Sequence, residues 1–338
     1  MSRRSWVIAG AVMAALAAGP AQAVNVPGTT YETIDVGGVE RTFIVHVGAS
    51  VPAEGPVPVV FMFHGTSGDG QRFYDNSGWR EVADAEGIIV VFPDALRHCF
   101  YEDENGDGDF DDAGELKLTT KWSAGALGEA TEMPLCAEDV VARLPARARA
   151  TVDHPVADDL AFVDAMLAFL GAEYVVDDHR IFASGFSNGA QFTSRLAVER
   201  SEAFAALAAH AGDLSVPIVP ARPVPFVLSF GNIDDRVISL VGVSPIPMGE
   251  ADLVTLFLGF VSQYLQQFGL ADTYTFDERS AGGGALSTFT FQESLTGADG
   301  RLLFLVVEGN THAYPNGRNH PLPMARALWE FFRDHPLP

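Results

Sequence analysis

Lysine is almost missing from this chain: of 338 residues only Lys117 and Lys121 carry an ammonium. Lys and Arg together number 21 against 44 Asp and Glu, a formal net charge of −23. That balance excludes nucleic acid as an expected partner, because phosphate binding needs clustered cations. Cysteine is equally scarce, with Cys99 and Cys136 alone. Beyond the first residues no apolar run is long enough to span a bilayer. Internal repeats and long linkers are also missing. What is plentiful is apolar side chain, at 48%, ample for one large core.

The first residues read as an export leader. Arg3 and Arg4 precede the short apolar run "WVIAGAVMAALAA", and "AQA" at 21–23 offers small residues for cleavage. "SRRSWV" fits a twin-arginine signal as well as a general one. The expectation is a cleaved leader at 1–23, a secreted or periplasmic protein, and a single domain over 24–338. In that compartment the even cysteine pair predicts a Cys99–Cys136 disulfide.

"YETIDV", a Gly37-Gly38 turn and "VERTFIVHV" predict a hairpin over 31–47. "VPVVFMF" (57–63) is continuously apolar, as in a strand buried on both faces. Helix-like 78–87 precedes strand-like 88–92, and helical spacing recurs at 156–170. Strand 180–184 leads to helix 188–200, strand 223–231 to helix 250–268. Strands 285–294 and 301–309 precede a closing helix at 324–335. Alternation of this kind predicts an α/β fold with a mainly parallel sheet and helices on both faces. Residues 96–150 break the rhythm and read as an inserted acidic loop region.

"RIFASGFSNGAQF" places Ser187 in a G-x-S-x-G pattern between a strand and a helix. Such a turn lifts a serine hydroxyl above the sheet. A serine nucleophile needs a base and a group to orient that base. In this arrangement both follow in the chain, acid before histidine. "GNIDDRV" (231–237) supplies carboxylates at one strand's end, and "NTHAYPNG" (310–317) supplies His312 at the next. Asp234 is preferred over Asp235, which suits a turn. Two backbone donors must meet the oxyanion: the N–H of Asn188, and one from "FHGTSGDG" (63–70), Thr66 first and Gly65 second. His64, Trp122 and Tyr314 are candidate pocket residues. For Trp122 the other reading is an anchor holding the insert on the core.

The strings "VVFMFHGTSGDG", "SGWREVADAEGIIVVFPDA", "DDLAFVDAML", "RIFASGFSNGAQF", "GNIDDRV", "NTHAYPNG" and "ALWEFFRDHP" occur in this order over most of 57–338. Together they resemble the polyhydroxybutyrate depolymerase and feruloyl esterase group of secreted α/β-hydrolases. The resemblance implies the α/β-hydrolase fold, with Ser187 as nucleophile, Asp234 as orienter and His312 as base. It implies ester hydrolysis through an acyl-enzyme, on hydroxyalkanoate oligomers or feruloyl- or acetyl-type esters, with no cofactor for catalysis. The chain departs from the group in its longer acidic insert. It also lacks a glycine run before His312 and has Tyr314 where tryptophan is common.

Within the insert, "DENGDGDFDDAGE" spaces Asp103, Asn105, Asp107, Asp109 and Asp111 alternately, with Gly108 sixth. This is the spacing of a calcium loop, although Gly114 stands at the twelfth position. Structural calcium is the expectation. Two rival functions stand beside the esterase: a serine peptidase on the same fold, and a calcium-dependent binding protein on an inactive scaffold. The closing helix ends at Pro338 with no further module, and the acidic surface repels anionic polymers. Soluble, neutral, short-acyl or aryl esters and ester oligomers are therefore expected to turn over better than intact crystalline polymer.

Overall fold

The computed structural model describes residues 24–338 apart from 53, 104–105, 111–113, 153–155, 215, 282–283 and 299. The expected leader at 1–23 lies outside them. In chain order the strands are β1 (Gly28–Val36), β2 (Val39–Val47), β3 (Val57–Phe63), β4 (Ile89–Pro93), β5 (Arg97–Tyr101), β6 (Leu116–Thr120), β7 (Val176–Phe186), β8 (Ala206–His210), β9 (Phe226–Gly231), β10 (Tyr274–Ala281), β11 (Gly284–Phe291) and β12 (Leu302–Val307). All but β5 and β6 form one sheet of order β1-β2-β4-β3-β7-β8-β9-β12-β11-β10. Its middle, from β4 to β12, is parallel throughout. Antiparallel strands close both sides.

The apolar run of β3 explains why the sheet sits in the middle. Side chains of a strand alternate between faces, and all seven β3 residues are buried. Val59, Phe61 and Phe63 join one core with Phe162, Phe192 and Leu196. Val60 and Met62 join a second with Trp79, Trp329 and Phe332. Helices Asp159–Glu173 and Asn188–Glu199 cover the first face, and Trp79–Glu86 and Met324–Arg333 the second.

The register aligns the strand ends. Phe63 pairs with Gly185, Phe186 with His210, and Gly231 with Val307. The loops after β3, β7, β9 and β12 therefore leave the sheet at one edge, where ligands gather in open α/β sheets.

Several elements differ from the sequence reading. The strand expected at 223–231 starts only at Phe226, because Pro223 and Pro225 lack the N–H a ladder needs. Strands β8 and β10 and helices Gly70–Asn76 and Asp235–Val241 went unread. The insert is not all loop, since β5 and β6 pair as a separate antiparallel hairpin. Cys99 and Cys136 are joined in a disulfide with Cα atoms 5.3 Å apart. No helix among the described residues is long and apolar enough to cross a membrane.

Candidate active site

Ser187 stands between β7 and the helix Asn188–Glu199 with φ 53° and ψ −123°. A non-glycine residue in this region carries strain that its surroundings must hold. They do: Ser187 N–H donates to His210 O at 2.9 Å, and Ser187 O accepts from Ala190 N at 2.8 Å. The flanking glycines are required by space. A Cβ on Gly185 would collide with the Gly189 carbonyl, and one on Gly189 with the carbonyls of Phe63 and His64.

The loop after β12 brings His312 Nε2 to 2.9 Å from Ser187 Oγ. The other ring nitrogen, Nδ1, lies 2.9 Å from Asp234 Oδ2. Asp234 is fully buried and caps the helix Asp235–Val241, its Oδ1 accepting from Arg236 N at 3.0 Å. Burial alone would raise its pKa. The hydrogen bond and charge of His312, with the N–H groups of Arg236 and Val237, outweigh this and hold it below the ordinary value. Asp235, one residue on, is exposed. A carboxylate kept ionised against Nδ1–H fixes the tautomer whose Nε2 lone pair meets the serine hydroxyl.

Thr66 and Asn188 border the same cavity as Ser187, and neither N–H makes a backbone bond among the described residues. The Thr66 loop is braced by Gly68 N to Gly65 O and Ser67 N to Thr120 O, both 3.0 Å, and by Thr120 Oγ1 to Gly68 O at 2.8 Å. Thr120 ends β6, so the insert holds one side of this loop.

The three candidate pocket residues differ in where they lie. His64 is fully buried. Its Nε2 accepts from Ala95 N at 3.0 Å, and Nδ1 donates to Gly65 O at 2.7 Å. Both nitrogens are spent on backbone, and burial lowers its pKa, so it is a neutral brace beneath the loop. Trp122 is also fully buried; it stacks on Phe192 and donates Nε1–H to His64 O at 2.9 Å. These contacts are those of an anchor between the insert and the core. Tyr314 is buried with its hydroxyl accepting from Trp79 Nε1 at 3.0 Å. It borders a second cavity of about 480 Å³ that shares Thr66 and His312.

The cavity in front of Ser187 measures about 230 Å³. Phe230, Val237, Leu240, Phe257 and Phe260 make one side apolar. The insert supplies another wall through Glu102, Lys121 and Met133. Asn188 ties that wall to the helix that follows Ser187: its Oδ1 accepts from Trp122 N at 2.7 Å and its Nδ2 donates to Trp122 O at 3.2 Å. Arg195 adds a bond to Ser123 O at 2.6 Å, and Asp159, itself paired with Arg41, accepts from Ser123 N at 2.7 Å. None of these ties was evident in the sequence, because each joins segments far apart in the chain.

Of the expected calcium ligands, Asn105 and Asp111 lie outside the described residues. Asp103 folds the loop back on itself, accepting from Gly106 N at 2.6 Å and Gly108 N at 3.0 Å. Asp107 accepts from Asp109 N at 3.0 Å. Gly108 takes φ 86°, the turn for which glycine suits the sixth position. Among the described residues no group of three His, Cys, Asp or Glu side chains is close enough to hold a metal.

No family model matches the chain. It is 25% identical over 301 residues to NocK of Nocardia uniformis subsp. tsuyamanensis, provisionally named an esterase, covering 86% of this chain and 75% of that protein. It is 23% identical over 216 residues to feruloyl esterase B of Piromyces equi, covering 62% of this chain and 32% of that longer protein. Among solved structures, the acetyl xylan esterase from Aspergillus awamori superposes with TM-score 0.54 at 14% identity, over 90% of this chain and 99% of that one. An S-formylglutathione hydrolase from Agrobacterium tumefaciens gives 0.51 at 13% identity, over 93% and 99%. With the strand order and aligned loops described above, these likenesses establish the α/β-hydrolase fold.

Proposed function

We propose that the chain is an exported serine esterase that cleaves carboxylic esters through an acyl-enzyme. The observation that carries this reading is the line Asp234–His312–Ser187, two contacts of 2.9 Å each, opening on a cavity with an apolar side. The esterase names of both relatives support it.

In this reading His312 Nε2 takes the Ser187 hydroxyl proton as Oγ attacks the ester carbonyl. Charge builds on the carbonyl oxygen, where the N–H groups of Thr66 and Asn188 receive it. The His312 proton passes to the departing alcohol, leaving Ser187 acylated. Water then attacks the acyl carbon, gives its proton to His312, and releases the acid as the proton returns to Ser187 Oγ. Asp234 keeps Nδ1 protonated and stabilises the imidazolium. The apolar side suits a short acyl or aryl group. Hydroxyalkanoate oligomers and feruloyl or acetyl esters are the substrate classes to try first.

Structural calcium at 103–111 belongs to the same proposal. Its support is the alternating oxygen side chains and the turn at Gly108.

A fluorophosphonate probe tests the chemistry. The expected result is covalent labelling at Ser187, abolished in Ser187→Ala, together with hydrolysis of short 4-nitrophenyl esters. Failure to label, with the protein folded, would favour a binding protein on an inactive scaffold. Faster turnover of matched amides than of esters would favour a peptidase.

A further inference from the structure

We propose that the cavity in front of Ser187 selects esters bearing a second, anionic group, a carboxylate above all, which Lys121 and Arg236 hold. The proposal rests on the esterase reading and names the substrate class of that site.

The starting point is scarcity. A chain with two lysines and a net charge of −23 has placed one of them in the wall of this cavity, with 8% of its side chain exposed. A buried ammonium is costly unless it is paired. Lys121 has three N–H donors. It meets Glu102 Oε1 at 3.2 Å and lies over the Phe100 ring at 5.0 Å. Burial lowers its pKa, Glu102 raises it, and Arg236 lowers it again, which places a second cation close by.

Arg236 borders the same cavity and follows Asp234 by two residues. Its backbone N–H serves the Asp234 carboxylate. Its guanidinium makes no hydrogen bond or ion pair among the described residues. Five N–H donors in a planar fork are thus free at the mouth of a cavity that holds a nucleophile. This is the geometry that takes a carboxylate at two points.

The acids on the cavity wall are already engaged. Glu102 is with Lys121, and Asp213 accepts from Gln191 Nε2 at 3.0 Å. The four charged side chains Lys121, Arg236, Glu102 and Asp213 cancel, in a protein that is otherwise strongly negative. The expectation of neutral substrates, drawn from overall charge, therefore does not extend to this cavity. A distant anion is repelled by the surface as a whole, but one seated beside Arg236 meets the local charges first.

The backbone that carries each cation is fixed relative to Ser187. Lys121 precedes Trp122, whose backbone Asn188 clamps. Arg236 lies in the first turn of the helix that Asp234 caps.

The test compares mono-4-nitrophenyl glutarate with 4-nitrophenyl valerate, acyl chains of equal length that end in a carboxylate or a methyl. The expected ratio of kcat/KM, glutarate over valerate, exceeds one in the unmodified protein. It falls about tenfold in Arg236→Gln and at least as far in Lys121→Met, with Arg236→Lys keeping part of it. Arg236 is exposed, so Arg236→Gln reads the proposal even if Lys121→Met fails to fold. A ratio below one, or one unchanged in Arg236→Gln, overturns the proposal. If neither ester is cleaved the esterase reading falls, and calorimetry with glutarate alone then decides. Binding that disappears in Arg236→Gln sustains the anion site, and no binding to the unmodified protein removes it.

Discussion

The parallel sheet and the insert both deliver groups to Ser187, and they are held in different ways. In the sheet every β3 residue is buried, and two cores grip the strand from opposite faces. In the insert, helices Glu138–Arg143 and Ala146–Arg149 bury no residue. That region is held by one disulfide, one hairpin, the burial of Trp122 and Ala124 in the first core, and a few hydrogen bonds around Thr120, Trp122 and Ser123. The position of Ser187 is over-determined by packing, while the wall facing it depends on the buried anchor Trp122 and a short list of discrete bonds. Chemistry and selectivity should therefore respond to different substitutions.

The largest effect should come from the sheet side. Ser187→Ala, His312→Ala and Asp234→Asn should each lower kcat about a thousandfold or more, with thermal melts close to that of the unmodified protein. Near-normal turnover in any folded one of these variants would reassign that residue, and for Asp234 the role would pass to Asp235.

The next concerns the insert. The disulfide closes a separation of 37 residues, worth about 3–4 kcal/mol in the chain-entropy model. Replacing both cysteines by alanine should lower the melting temperature and raise KM more than it lowers kcat. Equal losses in kcat and kcat/KM would show that the wall and the nucleophile are not separable.

Acid stability sharpens the comparison from the core side. Burial pulls His210 from 6.5 down to about 4, partly opposed by its bond to Ala313 O. Between those values the unfolded chain binds a proton that the fold does not. Stability on this account is complete above pH 6.5 and falls as the pH drops toward 4, by up to about 3 kcal/mol. His64 acts in the same direction. In His210→Gln the melting temperature should fall less steeply over this window. A slope unchanged from the unmodified protein would assign acid sensitivity elsewhere.

Calcium is the smallest. At ten times its Kd an ion bound only by the folded state adds about 1.4 kcal/mol. The melt should rise with calcium and fall with a chelator, and both responses should vanish in Asp103→Ala/Asp107→Ala. No response in the unmodified protein would leave 103–115 a solvated turn.

What the sequence disclosed followed the same division. The strands of the middle sheet were legible where apolar runs are continuous, as in β3. Strand β8, "ALAAH", was not, since alanine has little intrinsic preference for strands and this one is held by β7 and β9 on either side. The pair Asp234-Asp235 was legible as a strand-end carboxylate. Which of them meets His312 depends on where the following helix begins, and Asp234 is its cap. His64 begins the loop that carries Thr66, and an aromatic face such as that of Trp122 suits an apolar substrate as well as an anchor, so the sequence offered both as pocket residues. Their polar atoms bond buried backbone, a choice no local pattern displays. Lys121 and Arg236 meet across one cavity from distant segments, so neither stood out in the chain.

The ties between the insert and the rest of the site have a bearing on how this wall can change. Thr120 O meets Ser67 N, and Trp122 meets the Asn188 amide through its own N–H and C=O. On the insert side these contacts are made by main chain, which every residue except proline can offer in full. Apart from Thr120, whose hydroxyl also braces Gly68 O, and Trp122, whose indole N–H holds His64 O, side chains here can therefore be exchanged without loosening the segments that carry Thr66 and Asn188, whereas inserting or deleting one residue between Leu118 and Ala124 would break the match at once. For anyone recombining such walls between relatives, the transferable unit is a backbone path of fixed length that keeps Thr120 and Trp122 in place.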